Sequence, residues 1–324
     1  MTRRGITGTL AAALLAALSL PDRILAQSYP VRPMRMVIPY TPGGPTDLVG
    51  RALAERMQKI LGQQVIVDNR AGGGGVIGSE IVARSNPDGY TLLLGTPGQL
   101  ILLPLLNPKV PYRPSDFQPV TKVVDTPQVL IATAKLPAST VAELVAYAKQ
   151  RPGEITYGSV QAGGTGHLGM ELLKLATGMD MLHVPYKGTV PALTDLIAGR
   201  IQVMFSSLPT VQQHLQAKRI KILATGAPRR TPAIKDVPTI AETVPGYDLV
   251  TWYGIFVAPR TPAPIVNTLH RTLVDILTSP EIEQIFAAQG VEPAHMTPQA
   301  LAQYMQAESK RWEKVIRAAG IRID

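Results

Sequence analysis

Apolar residues along this chain fall into short runs, separated by glycine-rich turns and by longer stretches of helical spacing. Met34, Met36, Val37 and Ile38 form a run too short for a helix, and it reads as a buried strand. The turn after it, PYTPGGPTD, carries Gly43-Gly44 and places Thr46-Asp47 where a helix start is capped. Leu48, Val49, Ala52, Leu53, Met57, Ile60 and Leu61 then recur at helical spacing. A second copy of this strand, glycine loop and helix begins at Ile155, in ITYGSVQAGGTGHLGMELLKLA. Such a unit presents free backbone N–H groups at the positive end of a helix, which favours a bound anion. Glycine lets that anion approach the main chain. Two such loops in separate halves of the chain predict a ligand held between two lobes.

Between and after them, strands and helices alternate. Strands are predicted over 65–68 and 90–95, with a helix over 78–85 opened by AGGGG. Thr96-Pro97-Gly98-Gln99 is a loop at a strand end, and 107–120, with four prolines, reads as irregular connection. Alternation restarts with strands over 129–133, 155–159, 181–186, 201–205 and 220–225 and helices over 141–150, 166–177, 189–198 and 210–217. A strand over 252–257 and helices over 265–277, 280–289 and 298–319 follow, and these are expected to pack back on the first lobe. The pattern predicts an α/β protein whose mostly parallel sheets are covered on both faces. Ligands bind such sheets beyond the carboxyl ends of the strands, where both glycine loops fall.

Composition narrows the function class. With 324 residues, 45% hydrophobic and 17% charged, the chain has the make-up of a globular protein and room for two domains. Arg3 and Arg4 precede the apolar run LAAALLAALSL, and Leu25-Ala26 offers a cleavage point before Gln27, so 1–26 reads as a signal peptide for export to the periplasm. No other apolar run reaches spanning length. Removing those residues leaves 29 basic and 22 acidic side chains. They are scattered over predicted helix faces without a basic stripe and interleaved aromatics, which argues against nucleic acid. Cysteine is absent. The five histidines lack metal-ligand spacing, no GxSxG elbow occurs, and AGGGG lacks both phosphate-loop and dinucleotide patterns, so neither metal nor cofactor is expected. The expectation is a binding protein, not an enzyme.

Individual residues carry two readings each. Thr46 and Asp47 either hydrogen-bond a ligand or cap a helix, and His167 either contacts the ligand or packs at a helix start. Tyr186 stands as a pocket wall, with Lys187 beside it as a counter-charge or a solvated side chain. Ser206-Ser207 offer hydroxyls at a strand end or a turn, and Trp252-Tyr253 read first as core.

PYTPGGPTD, VIVDNRAGGGGVIGSE, PDGYTLLLGT, HVPYKGTVPALTDLIAGRIQVMF, DVPTIAET and TWYGIFVAPRTP together resemble the substrate-binding receptors of tripartite tricarboxylate transporters, the Bug family. The likeness runs in order through the whole mature chain. It implies a type II periplasmic-binding-protein fold, with 27–127 and 228–324 forming one lobe and 128–227 the other. It also implies a monomer that closes on a small carboxylate and meets membrane transporter subunits transiently, without a cofactor. Carried onto this sequence, the ligand loops are Tyr40, Thr41, Gly43, Gly44, Thr46 and Asp47, and 162–167 with Gly163, Gly164, Thr165 and His167. Thr96, Tyr186 and Ser206 line the cleft. The second loop reads GGTGHL where the family often has GSTPHL, and Ser206 stands where the family often has an aspartate able to meet an amino group. That departure tilts the expected ligand toward an acid without one. The other readings are a ligand sensor for a signalling partner and a secreted hydrolase or transferase using the same cleft.

Overall fold

The run MRMVI folds as strand β1 (Met34–Ile38), whose apolar side chains are buried on both faces of the sheet, as a central parallel strand requires. The computed structural model describes residues 29–160, 163–186, 188–230 and 234–321. The signal-peptide segment 1–26, Ala162 and Lys187 lie outside them. After β1 come α1 (Pro45–Leu61), β2 (Val65–Asn69), α2 (Val76–Ala83) and β3 (Thr91–Gly95). A buried π-type turn over Gly98–Leu102 leads into the short α3 (Leu103–Leu106), and β4 spans Gln118–Thr133. The second alternating run is α4 (Val141–Lys149), β5 (Thr156–Val160), α5 (Thr165–Thr177), β6 (Leu182–Tyr186), α6 (Thr189–Ala198), β7 (Val203–Ser207), α7 (Leu208–Gln216) and β8 (Ile220–Thr225). The chain ends with β9 (Val250–Val257), α8 (Ala263–Leu277), α9 (Pro280–Ala288), β10 (Glu292–Pro293) and α10 (Pro298–Ala319).

The strand order is β2-β1-β3-β9-β4-β7-β5-β6, with β8 and β10 also pairing with β4. β1 runs parallel to β2 and β3, and β5 parallel to β6 and β7, so each glycine loop follows a strand of a parallel set. β4 is the member common to both halves. Gln118–Pro127 pairs antiparallel with β9, and from Gln128 onward the strand pairs antiparallel with β7 and β8. The sequence pattern predicts only 129–133 as strand here. The observed strand is longer because it absorbs Pro119 and Pro127 within the ladder to β9, with register shifts on either side of Thr121 and Lys122.

α1, α8 and α9 pack on one another and on the first half of the sheet. α10 goes further. It contacts β4 and the Gly98–Leu102 turn on one side and α5 on the other. One apolar cluster accordingly runs from Val37 and Leu93 through Trp252 and Trp312 to Tyr157 and Leu168. Among the described residues, no helix is long and apolar enough to cross a membrane.

Candidate functional site

The two glycine loops share one backbone design. Gly43 has φ +79° and Gly163 φ +77°, a left-handed conformation that suits glycine. The glycine after each, Gly44 or Gly164, is the extended N-cap of the following helix, and neither helix has a side-chain cap. In each loop the first glycine's N–H is taken by the side chain four residues on. Gly43 donates to Asp47 Oδ2 at 2.9 Å, and Gly163 donates to His167 Nδ1 at 2.8 Å. Intrahelical bonding starts with Leu48 N–H to Gly44 O and Leu168 N–H to Gly164 O. The N–H groups of Thr46 and Asp47, and of Thr165, Gly166 and His167, therefore lack a helical partner.

The acceptors under the two loops are held differently. Asp47 Oδ2 also accepts from Arg51 Nε at 2.9 Å, and Oδ1 accepts from Asn69 Nδ2 at 2.9 Å. Burial raises its pKa, but the bonds from Arg51, Gly43 and Asn69 outweigh this and hold it below the ordinary aspartate value. His167 is buried, and its ring stacks on His183 with centroids 3.8 Å apart and planes 7° from parallel. Tyr157 lies against both rings, 5.0 Å from His183 and 6.1 Å from His167, and His183 Nε2 meets Ser159 Oγ at 2.7 Å. Burial pushes both histidines below their usual value, His183 to about 4.

Between the lobes lies a cavity of about 320 Å³. Pro45 and Thr46 of α1 face Gly163 and Gly164, Thr165 and Gly166 of α5 across it. Thr189 at the start of α6, and Ser207 and Thr210 at the start of α7, add two more helix N-termini. The floor is the strand crossing, Thr126 and Gln128 of β4 with Thr251 and Tyr253 of β9. Leu103, Val160 and Phe205 supply apolar wall. Among the described residues no charged side chain lines the cavity.

Of the residues singled out from sequence, Tyr40, Thr46, Thr96, Gly163, Gly164, Thr165 and Ser206 are together on this wall. Tyr40 and Thr96 form a hydroxyl pair 2.9 Å apart, and Tyr40 donates to Gln99 Oε1 at 2.8 Å. Burial raises the Tyr40 pKa, so it stays a neutral phenol. Asp47 and His167 stand behind the wall as loop supports. Thr41 and Gly43 are exposed and Gly44 half-buried, all off the wall. Tyr186 also lies off it, packed with the core of the second half and donating to Asp195 Oδ2 at 2.8 Å. Tyr253 is core, as its sequence position suggests, and faces the cavity as well. The residues without a local sequence signal are those of β4 and β9, since alternation along a strand does not say which face borders a cavity.

Residues 49–321 match the family described as tripartite tricarboxylate transporter family receptor, TctC. The chain belongs to this family. The receptor is 36% identical over 312 residues to protein BugT of Bordetella pertussis, an alignment covering 95% of this chain and 96% of that one. Among solved structures it is similar to Rpa4515 of R. palustris, solved with adipate, at 39% identity and TM-score 0.80, covering 91% of this chain and 99% of that one. It is also similar to MatC of Rhodopseudomonas palustris, solved with bound malate, at 31% identity and TM-score 0.74, covering 89% and 100%. The receptor thus has the α/β periplasmic-binding-protein fold and is a solute-binding protein, not an enzyme.

Proposed function

We propose that this receptor works in the periplasm, where it closes on a small dicarboxylate and hands it to the membrane subunits of a tripartite tricarboxylate-type transporter. The observation that carries the reading is the convergence of four helix N-termini, those of α1, α5, α6 and α7, on a cavity lined by neutral side chains. Each end is equivalent to roughly half a positive elementary charge. Four together amount to about two charges, enough to face a dianion. The hydroxyls of Thr46, Thr165, Thr189 and Ser206 add donors that a carboxylate accepts, and Leu103, Val160 and Phe205 suit an apolar spacer. Adipate and malate in the related structures have this chemistry. Among the described residues an α-ammonium group has no carboxylate to meet on the cavity wall, because Asp47 is engaged by Gly43, Arg51 and Asn69 behind it. The segment 1–26 is read as the export signal.

Thermal shift followed by calorimetry on adipate, malate, succinate, aspartate and neutral diesters tests this. A ligand at a hundred times its dissociation constant adds about 2.7 kcal/mol, enough for several degrees. The diacids are expected to stabilise the protein and the diesters to leave it unchanged, with succinate binding more tightly than aspartate. Stabilisation by the diesters without the acids rejects the anion reading, and tighter binding of aspartate rejects the α-amino argument.

A further inference from the structure

The two ligand-facing loops use supports of different chemistry. Asp47 is a carboxylate held ionised by Arg51 and Asn69. His167 is an imidazole that does the same task in the second loop, accepting the Gly163 N–H on Nδ1. An N–H can only donate, so Nδ1 must carry a lone pair, and the proton of neutral His167 sits on Nε2. A protonated ring would present N–H to N–H at 2.8 Å, and the bond could not survive. The charged form would also stack at 3.8 Å on His183.

We propose that His167 is a positioning residue for the ligand: as a neutral acceptor it holds the Gly163 loop in the form that turns the N-terminus of α5 toward the cavity, and its protonation releases that loop and weakens ligand binding. This rests on the cavity being the carboxylate site. His167 faces His183 from β6 and Tyr157 from β5, with Glu171 and Lys174 further along its own helix. Tyr157 and Lys174 both donate to Glu171 Oε1, and across the helix face Glu171 favours a cationic His167 while Lys174 opposes it, with burial the larger effect. β7 brings no titratable group to this side. On α10, Glu308 pairs with Arg311 and Glu313 with Arg317, while Lys310 and Lys314 are exposed. The first loop differs, because its acceptor is a carboxylate held ionised below the ordinary aspartate value. A single lobe therefore carries the proton response.

Two measurements on the full receptor test the proposal. In the ligand-free protein, nitrogen NMR follows the His167 tautomer and the Gly163 amide from about pH 7.5 down to about pH 4, because burial moves the His167 titration below the ordinary histidine range. The Nε2–H tautomer is expected at the upper end, with the Gly163 amide losing its protection as His167 protonates. Calorimetry with adipate then compares wild type, His167→Asn and His167→Phe. Asparagine keeps a non-titrating acceptor near the Nδ1 position, whereas phenylalanine keeps the stack and removes the acceptor. Wild-type affinity is expected to fall at least tenfold more steeply on acidification than that of His167→Asn. His167→Phe is expected to bind at least tenfold more weakly throughout. Protonation of adipate itself is common to all three proteins and cancels. A Gly163 amide unmoved while His167 protonates overturns the proposal, as does a His167→Asn variant with the wild-type pH slope. Absence of adipate binding by the wild type at every pH would count against the function proposed above, and the NMR arm would still decide the role of His167.

Discussion

Asp47 illustrates how a residue can matter to a site without touching what the site holds. Its two oxygens accept from Gly43, Arg51 and Asn69, tying the loop after β1 to the first turn of α1 and to the end of β2. Asparagine at this position fits the space but offers one acceptor oxygen and an amide that donates, so one of three donors is left facing a donor. Hydrogen bonds to a buried charge are worth about 1.5–3 kcal/mol, and Asp47→Asn is expected to cost about 2 kcal/mol at neutral pH. The pH dependence follows from the lowered pKa. A carboxylate whose folded value lies below its unfolded value contributes stability above the unfolded value and loses it as pH falls through the folded one. The gap between wild type and Asp47→Asn should therefore be full at neutral pH and shrink below the ordinary aspartate value of 3.8. Urea unfolding of both proteins at neutral and strongly acidic pH measures it. A gap that stays constant into acid would mean that shape, not charge, holds the loop.

Elements differ in how much of them the sequence discloses, and α10 is at the readable end. Pro298 opens it, Thr297 caps it by accepting the Ala300 N–H at 3.2 Å, and Gly320 closes it in a left-handed conformation. Local chemistry marks both ends, so the predicted span 298–319 and the observed one coincide. Thr297→Ala removes the cap alone and is expected to cost about 1 kcal/mol in chemical denaturation without moving adipate affinity. A loss of affinity in that variant would show that α10, which contacts both α5 and the Gly98–Leu102 turn, transmits strain to the site. β4 is at the other end. Pro119 and Pro127 break the period-two signal that marks a strand, and only the tertiary partner β9 makes them part of one. The same contrast governs the site. The glycine loops are legible because positive-φ glycine and a helix start leave a local imprint, as at Gly43 and Gly163. Thr126, Gln128, Thr251 and Tyr253 border the cavity only because β4 and β9 cross there. That Tyr186 points to Asp195 instead of the cavity is likewise a matter of packing that its strand-end position does not reveal.

At the scale of the whole molecule, the connections between the halves decide how they can move. The sheet passes from one half to the other through β4, at the point where its pairing changes from β9 to β7 and β8 around Pro127 and Gln128. Behind that crossing, α10 and the apolar cluster through Trp252, Trp312 and Leu168 span both halves, whereas the cavity side holds two facing helix N-termini with space between them. A packed back and an open front favour rotation about the crossing, which brings α1 and α5 together over a ligand. Opposed positive helix ends repel each other slightly when the cavity is empty, and an anion between them removes that opposition, so the ligand supplies the differential interaction that a closed state needs. Solution scattering with saturating adipate, confirmed by calorimetry, is expected to give a smaller radius of gyration than the ligand-free receptor, and adipate diesters are expected to give no change. Identical profiles with and without bound adipate would show that the lobes do not close on it, and the cavity would then have to exclude water from its ligand with the walls it already has.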